Sequence, residues 1–452
     1  MGGDQHNRSS SANDTRQIHE RDESDVSAEY FQRPRANSVP RRLAVCNRCD
    51  QPHQSYLPES ASQPASQPAT FVTVPLEIRP ATSRREVNRF IDVPWRIIDR
   101  KQHPQWVPPL RISVKDVIDR KNPFYNAAER ELFIAYRDGE PVGRIAAIQN
   151  RAHNDFHGDK VGFFGFFECT DDPEVAAALF DTASDWLRAR GLDVMRGPMN
   201  PSTNQECGLL IEGFRFQPSF MTCWNPRYYT KLMDGAGFAK AKDLVAYFIP
   251  LTGKRPFVLP ERFAAHAQRA TAEGNVTFRD IDLRHFDREI DICWDIYNAA
   301  WEKNWGFVPM QREEFVHMAK DLKPLLLPQF AFIAEVHGKP AGVMINLLDY
   351  SYALMKIGNG RLFPTGIFKL LAAKKKIKVG RLMVMGVKRE HRTRSVFALF
   401  AHELYRRGME FGAIGGEASW ILEDNYAMTR PMEAMGAKVY RKWRIYDRPV
   451  SP

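Results

Sequence analysis

The 452-residue chain lacks long apolar runs, and this absence excludes a membrane-spanning protein. No stretch of about 18 uninterrupted apolar residues occurs, so the sequence predicts no transmembrane helix. The N-terminal stretch MGGDQHNRSSSANDTRQIHERDESD is polar and has no apolar core of a secretory signal. We therefore predict a cytoplasmic protein, with peripheral contact with an anionic membrane as the alternative location.

Cysteine and metal-ligand patterns are also scarce. Six cysteines are scattered along the chain and predict no disulfide framework. Cys46-Asn-Arg-Cys49 has the spacing of half a zinc site, but no second Cys or His pair stands nearby. His153 and His157 have helical spacing without a third ligand. We predict no metal site.

What is present divides the chain into a tail and two similar units. Residues 1–70 are polar and end in SASQPASQPAT, so we predict a disordered tail. Two segments, 71–250 and 276–452, carry the same order of strands and helices, joined by a linker helix within 251–275. Their hairpins LFIAYRDGEPVGRIAAI and AFIAEVHGKPAGVMINL match in length and phase. The fold class is α/β (α+β), with two tandem units whose mixed, mostly antiparallel sheets are flanked by helices.

The stretch Arg381–Gly408 predicts an anion-binding element. It reads as an apolar strand, a turn with Arg389, Arg392 and Arg394, and an amphipathic helix. A helix N-terminus offers unpaired N–H groups and partial positive charge to a phosphate. The net charge of +10 and the basic run before this turn agree with a phosphate or an anionic membrane as partner. A solvated basic surface is the alternative, and the lack of a known motif argues against nucleic acid.

The order of elements resembles the GCN5-related N-acetyltransferase (GNAT) superfamily, twice along residues 71–452. The chain also resembles a bacterial family of paired GNAT-like proteins, some of which act as ceramide synthases that join an acyl-CoA to a sphingoid-base amine. The stretches that carry this second resemblance are PWRIIDRKQHPQWVPPL, RIAAIQNRAHNDFHG, GFFGFFE, RGPMNPSTNQECGLL and RPMEAMGAKVYRKWRIYD.

The resemblance implies an acyl-CoA site in the second unit. The GNAT pyrophosphate turn, R/Q-x-x-G-x-G/A, falls on residues 392–397, where Ser395 and Phe397 replace the two glycines. The matching turn of the first unit, residues 169–173, is acidic and contains a proline, so phosphate is expected in the second unit alone. The implied acyl-CoA-binding residues are Met385, Val387, Arg392, Thr393, Arg394, Ser395, Val396 and Phe397. GNAT enzymes splay the two strands before and after this helix to seat the pantetheine.

The candidate catalytic and substrate residues lie on strand ends and one polar loop. Glu417 and Asn425 are candidates for handling the amine proton, and Tyr426 stands where GNAT enzymes often place the acid that protonates CoA. The turn-rich loop of the first unit offers Asn200, Asn204 and Glu206 as substrate-binding residues. The alternatives are a surface acid, a packed tyrosine and a turn held by its own side chains.

We therefore predict an acyl-CoA-dependent N-acyltransferase that acts on an amine, with a long-chain sphingoid base or other lipid amine as the preferred acceptor. Acyl-CoA enters as a substrate. The degraded phosphate turn motivates one alternative, a non-catalytic GNAT-like binding or regulatory protein. Transfer from aminoacyl-tRNA is a further alternative.

Overall fold

The computed structural model describes residues 75–273, 276–392 and 394–450, and of residues 394 and 395 it describes the backbone alone. The predicted tail 1–70, with Cys46 and Cys49, lies outside the described residues.

The strands are numbered along the chain within these residues. They are β1 (Glu77–Pro80), β2 (Ala128–Arg137), β3 (Glu140–Asn150), β4 (Val161–Cys169), β5 (Val194–Gly197), β6 (Met199–Asn200), β7 (Glu206–Cys207), β8 (Leu209–Glu212), β9 (Ala239–Pro250), β10 (Val276–Asp280), β11 (Ala331–Val336), β12 (Lys339–Leu348), β13 (Val379–Val387), β14 (Gly415–Leu422) and β15 (Val439–Pro449).

The helices flank the sheet and are numbered in the same way. They are α1 (Arg84–Ile97), α2 (Arg111–Ile118), α3 (Arg151–His157), α4 (Pro173–Arg188), α5 (Tyr228–Gly235), α6 (Glu261–Ala272), α7 (Phe286–Trp301), α8 (Arg312–Leu322), α9 (Ser351–Ile357), α10 (Gly366–Lys374), α11 (Arg394–Phe411) and α12 (Tyr426–Ala434). None of the described helices is long and apolar enough to cross a bilayer.

Local sequence chemistry explains where several elements begin and turn. The β2–β3 hairpin turns at Asp138-Gly139 and the β11–β12 hairpin at His337-Gly338, all four residues having positive φ, which suits the two-residue turns that match strand twist. Helix α1 begins with a capping box in which Ser83 and Glu86 bond each other's backbone N–H. Both predicted hairpins are confirmed.

One sheet of 13 strands runs through the described chain, in the order β1-β2-β3-β4-β5-β15-β9-β14-β13-β12-β11-β10, with β8 beside β15. The pairs β4–β5 and β13–β14 are parallel and the other pairs of this sheet are antiparallel. The fold class is confirmed as mixed α/β with a mostly antiparallel sheet and flanking helices.

The last strand of each predicted unit pairs with a strand of the other unit. We describe these two strands as exchanged. Strand β15, which ends the chain, pairs with β5, and β9 pairs with β14. β9 and β15 also pair with each other at the centre of the sheet. Bidentate ion pairs Arg444–Asp243 and Arg196–Asp447 span these ladders with N···O distances of 2.8–3.0 Å. The sheet is therefore continuous, although the sequence predicts separate sheets.

Candidate active site

The strands β13 and β14 diverge at the centre of the second half of the sheet. Their parallel ladder runs from Val379 opposite Gly415 to Leu382 opposite Ala418 and ends there. Both strands continue beyond this point, β13 to residue 387 and β14 to residue 422. The chain therefore has the opened strand pair that the GNAT resemblance implies.

One cavity lies on the α11 and α12 side of this strand pair, and we call it the α11 cavity. Its volume is about 1000 Å³, counted with its open mouth. Met385 and Phe397, both implied as acyl-CoA-binding, line it, together with residues that are almost all apolar. Among these further residues are Leu251, Phe257, Met344, Leu348, Leu382, Ala401, Leu404, Tyr405, Phe411, Met428 and Met432. The cavity suits an aliphatic chain.

A second cavity lies on the side of α7 and α8, and we call it the α7 cavity. Its volume is about 1660 Å³ with its mouth. The polar loop between β6 and β7 supplies one wall, which includes Asn204, and Asn425 lines it from the end of β14. Among the other lining residues are Cys207, Glu289, Tyr297, Trp301, Trp305, Phe315, Met318, Leu322, Arg381, Met383, Val384 and Trp420. This wall is more polar than that of the α11 cavity, so the two cavities suit different ligand parts.

The two cavities approach the strand pair from its opposite faces. Leu382 and Met385 of β13 line the α11 cavity, whereas Arg381, Met383 and Val384 line the α7 cavity. The β12–β13 ladder passes from Val384 to Leu382 across a register shift that skips Met383. A bulge of this kind redirects a backbone N–H out of the regular ladder.

The predicted phosphate turn is held by its own arginine. Arg392 is exposed, and its Nε donates to the carbonyl of Val387 at 3.0 Å while a terminal nitrogen donates to the carbonyl of Ala300 in α7. Val396 is buried beneath the start of α11. Thr393 lies outside the described residues. Arg392 thus ties the turn to α7 as well as standing beside the helix N-terminus.

Glu417 is fully buried at the point where the strands diverge, and four donors surround its carboxylate. Ser219 and Ser419 donate at 2.7 and 2.5 Å, and Tyr440 and Arg441 also donate to it. Burial by itself raises the pKa of Glu417, but the charges of Arg441 and Arg381 more than offset it and hold this pKa below its ordinary value. A carboxylate engaged in this way stays ionised and has little capacity left to accept a proton.

Arg381 organises the wall next to Glu417. Its guanidinium donates to Ser419 Oγ at 3.0 Å and to the carbonyls of Phe220 and Met221 at 2.6 and 2.9 Å. These carbonyls belong to the first half of the chain, so the network fixes that segment against the opened strands.

Glu206 contrasts with Glu417. It is half-buried, and within the described chain no side chain or amide donates a hydrogen bond to its carboxylate. Burial raises its pKa, and the nearby charge of Arg381 offsets this only in part. Its neighbours Gln205 and Cys207 both line the α7 cavity. Glu206 itself is not among the lining residues, and its carboxylate is a stronger base than an ordinary, exposed glutamate.

The two asparagines predicted with Glu206 serve different contacts. Asn200 Oδ1 accepts from the backbone N–H of Phe166 in β4 at 2.6 Å. Asn204 Oδ1 accepts from the Tyr297 hydroxyl at 2.8 Å beside the α7 cavity. Tyr426 is 59% exposed at the start of α12, immediately after Asn425.

The first half of the sheet closes the position that β13 and β14 leave open. Strand β4 pairs with β5 only from Val161 to Phe163, but β6 then lies against β4. A side chain at Gly165 would collide with the carbonyl oxygen of Met199, and Asn200 takes up the Phe166 N–H. The chain's own backbone thus fills, in the first half, the gap that stays open between β13 and β14 in the second half.

Sequence comparison places the chain among known proteins. No family model matches it. The bacterial ceramide synthase of Caulobacter vibrioides is 35% identical over 381 residues, which cover 82% of this chain and 97% of that protein. The chain belongs to the bacterial ceramide synthase family of GNAT-like proteins. Protein YghO of Escherichia coli is 32% identical over 379 residues, covering 82% of this chain and 95% of that protein.

A solved structure agrees with the fold of this GNAT-like chain. A tandem GNAT protein from the clavulanic acid biosynthesis pathway superposes with a TM-score of 0.50 at 13% identity, over 84% of this chain and 99% of that one. This likeness shows the fold, and the predicted family is confirmed by the ceramide synthase relative, so the GNAT-like protein is an N-acyltransferase.

Three charged groups near the two cavities of this N-acyltransferase were not predicted from sequence. Arg441 is fully buried and Arg381 is 3% exposed, yet both read as part of basic runs. Glu314 lies in the first turn of α8, where burial raises its pKa to about 6, and Gln205 Nε2 donates to it at 3.4 Å. A signal for the arginines was available, since both alternate with apolar residues in strands. For Glu314 no local signal exists, because a loop of the other half buries it.

Cys207 and a group of possible metal ligands lie in different parts of this GNAT-like chain. Burial raises the pKa of Cys207 to about 12, so its thiol stays protonated. Asp116, His317 and Asp321 bring ligand atoms within 4.8 Å of one another on α2 and α8, with His317 Nε2 2.9 Å from Asp116. These are the described residues that could hold an ion, and the absence of a metal stays a prediction.

Proposed function

We propose that the enzyme transfers a long-chain acyl group from acyl-CoA to the amine of a lipid such as a sphingoid base. The observation that carries the proposal is the pair of large cavities on opposite faces of one opened strand pair. The name of the Caulobacter relative, a ceramide synthase, supports the same acceptor class. We also infer that the second half alone takes acyl-CoA, because β6 and Asn200 close the first.

The donor is proposed to enter at the turn of residues 388–394. The N-terminus of α11 and its arginines suit the pyrophosphate, and the gap between β13 and β14 suits the pantetheine. Phe397 is compatible with this arrangement because its ring lies in the α11 cavity and not in the turn. The apolar α11 cavity then takes the acyl chain.

The acceptor is proposed to bind in the α7 cavity. Glu206, which stands between the lining residues Gln205 and Cys207, removes the proton of the ammonium group, and its raised pKa makes it a stronger base than an ordinary carboxylate. Asn204 and Asn425 are the substrate-orienting groups of the same cavity. Glu417 is assigned a positioning role through Arg381 and Arg441, in place of the direct catalytic role predicted from the sequence.

The reaction then balances without a further reactant. The neutral amine attacks the thioester carbon, the C–N bond forms, and the amide N–H at the Met383 bulge stabilises the negative oxygen. The nitrogen loses its second proton to solvent as the C–S bond breaks, and the CoA thiolate takes a proton from Tyr426, the candidate donor. Solvent then reprotonates Tyr426 and takes the proton held by Glu206, so that one proton is released overall. The products are a lipid amide and free CoA.

A direct assay tests the proposal. Purified enzyme is incubated with palmitoyl-CoA or acetyl-CoA and with sphinganine or a short amine, thiol release is followed, and products are identified by mass spectrometry. We expect release and an amide product with the long donor and the lipid amine. Absence of thiol release with every donor, together with no CoA binding by calorimetry, contradicts the proposal.

The alternatives predict different results. A non-catalytic protein would leave function unchanged in Arg392→Ala, whereas loss of a charged hydrogen-bonding group is expected to raise the donor KM about tenfold here. Arg406→Ala on the exposed side of α11 is the matched control. Transfer from aminoacyl-tRNA would require RNA binding with steep salt dependence.

A further inference from the structure

The helical hairpin α9–α10 carries an unusual concentration of exposed apolar side chains. Of the nine large apolar side chains exposed in the described chain, four belong to this hairpin. Phe363 is 66% exposed, Phe368 70%, Leu371 56% and Tyr352 42%. Such a patch on a water-soluble surface normally marks a binding site.

The exposed residues of α10 form one stripe. Phe368, Leu371 and Lys375 recur at spacings of three and four residues, whereas Gly366 and Ala373 face the protein. The helix therefore packs Gly366, Ala373 and the partly buried Leu370 inward and leaves Phe368 and Leu371 exposed. An ordinary surface helix exposes polar residues at such positions.

Basic residues surround the stripe. Arg361, Lys356, Lys369, Lys375 and Lys376 are all exposed. No Asp or Glu occurs between Asp349 and Glu390 in the sequence. Large apolar residues framed by cations alone complement a bilayer whose headgroups are anionic.

The hairpin is held firmly by the first half of the chain. Trp95 Nε1 donates to the carbonyl of Gly358 at 3.1 Å, and Arg111 donates to the carbonyls of Asn359 and Gly360 at 2.8 and 2.9 Å. The connection between α9 and α10 is thus fixed by α1 and α2, and the apolar residues are displayed on a fixed support.

The inner side of the hairpin leads to the α11 cavity. Leu370 of α10 packs with Leu348 and Phe411, and these two residues line that cavity. The exposed apolar stripe therefore lies next to the apolar interior of the enzyme.

We propose that the α9–α10 hairpin docks the enzyme on anionic membranes, with Phe363, Phe368 and Leu371 entering the interface between headgroups and acyl chains. The docking does not depend on the proposed reaction, although it explains how a lipid acceptor reaches the enzyme. The bound surface is a bilayer, and a second copy of the chain is the competing occupant.

Vesicle co-sedimentation of the full-length protein tests the proposal. Vesicles contain either phosphatidylcholine alone or a mixture with about 30% phosphatidylglycerol, a content that gives a strongly negative surface. We expect binding to the anionic vesicles that weakens as salt rises from about 0.1 to about 0.5 M, where screening is much stronger.

Two variants separate the apolar from the charged contribution. Phe363→Ser/Phe368→Ser/Leu371→Ser is expected to lower the bound fraction at least about tenfold, the effect of one buried phenylalanine. Arg361→Gln/Lys375→Gln/Lys376→Gln is expected to abolish the preference for anionic vesicles. Phe156→Ser and Lys231→Gln/Lys303→Gln/Lys320→Gln, all at exposed positions elsewhere, are the controls and should bind as the parent does.

Two outcomes overturn the proposal. One is that the parent stays in the supernatant with every vesicle, or that the hairpin variants bind as the parent does. The other is that the serine variant loses self-association in analytical ultracentrifugation and keeps vesicle binding, which assigns the patch to contact between copies. Thiol release with water-soluble substrates, measured separately, reports on the proposed reaction and not on docking.

Discussion

At the scale of single residues, four donors engage the carboxylate of Glu417, which leaves it little capacity to accept a proton from a substrate. Replacing it by Gln leaves the buried guanidinium of Arg441 without its counter-charge. Breaking a buried ion pair on one side costs about 3–5 kcal/mol, so we expect Glu417→Gln to lower the free energy of unfolding by that amount in urea titration. Glu212→Gln, which breaks an exposed pair with Lys442, is the control and should cost at most about 1 kcal/mol.

The pH dependence of stability follows from the same residue. Because Arg441 and Arg381 depress the pKa of Glu417 below 4.5, its contribution is present above that pH and is lost as pH falls through the lower, folded-state pKa. The parent protein should therefore lose more stability between pH 6 and about pH 3 than Glu417→Gln does. Equal slopes of the two unfolding free energies against pH would contradict this account.

The pKa of Glu206 is shifted in the opposite direction to that of Glu417, so its replacement is expected to have a different effect. Its raised pKa means that the folded state disfavours the charged form, so its contribution falls as pH rises above 4.5. Glu206→Gln should keep or increase stability at neutral pH and lower kcat by about 10²–10⁴ if Glu206 is the base. The same assay on Glu314→Gln and Glu212→Gln shows whether the loss is specific. A kcat close to that of the parent would remove Glu206 from the mechanism.

For single residues, the sequence indicated candidate side chains but not the role of each one. Glu417 and Glu206 were both candidates from their positions in a strand and a polar loop. Their difference arises from contacts between distant parts of the chain, such as Ser219 with Glu417, that no local pattern contains. Arg441 was missed because Arg441-Lys442 was read as a basic run, although strand alternation places Arg441 on the same buried face as Trp443 and Ile445.

At the scale of elements, the opened strand pair and the α11 cavity define a length-sensitive site. Ala401 of α11 lines that cavity, and a larger side chain there shortens the space available to an acyl chain. We expect Ala401→Trp to lower kcat/KM for palmitoyl-CoA at least about tenfold relative to octanoyl-CoA, since each excluded methylene is worth about 0.8 kcal/mol. Equal loss for both donors would show that the chain lies elsewhere. Ala272→Trp, exposed at the end of α6, is the control.

The sequence pattern predicted the order of these elements, whereas their opening was expected from the GNAT resemblance alone. The strand, turn and helix of Arg381–Gly408 are present as β13, the turn and α11. The divergence depends on where the β13–β14 ladder stops, which local periodicity does not encode. The closed position in the first half depends on β6 crossing to β4, whereas the sequence pattern predicted only a polar loop at this place.

At the scale of the whole molecule, the two halves share their central strands. The repeated order of elements was readable from the matching hairpins. The exchange of β9 and β15 was not, because either strand has the apolar pattern to pair in its own half. The ion pair Arg196–Asp447 connects β15 to its new neighbour β5, and Arg444–Asp243 joins the two exchanged strands to each other.

This exchange makes the stability of each half depend on the other. Trp443 of β15 is fully buried between the halves, opposite Leu244 of β9, and its Nε1 donates to the carbonyl of Cys223 at 2.9 Å. Replacing a buried tryptophan by alanine costs about 3–5 kcal/mol, and we expect Trp443→Ala to lower the stability of both halves together. Urea unfolding followed by hydrogen exchange should show one transition, with the β2–β3 and β11–β12 hairpins losing protection at the same lowered midpoint. Two separate transitions, with only one displaced by the substitution, would mean that the halves fold independently in spite of their exchanged strands.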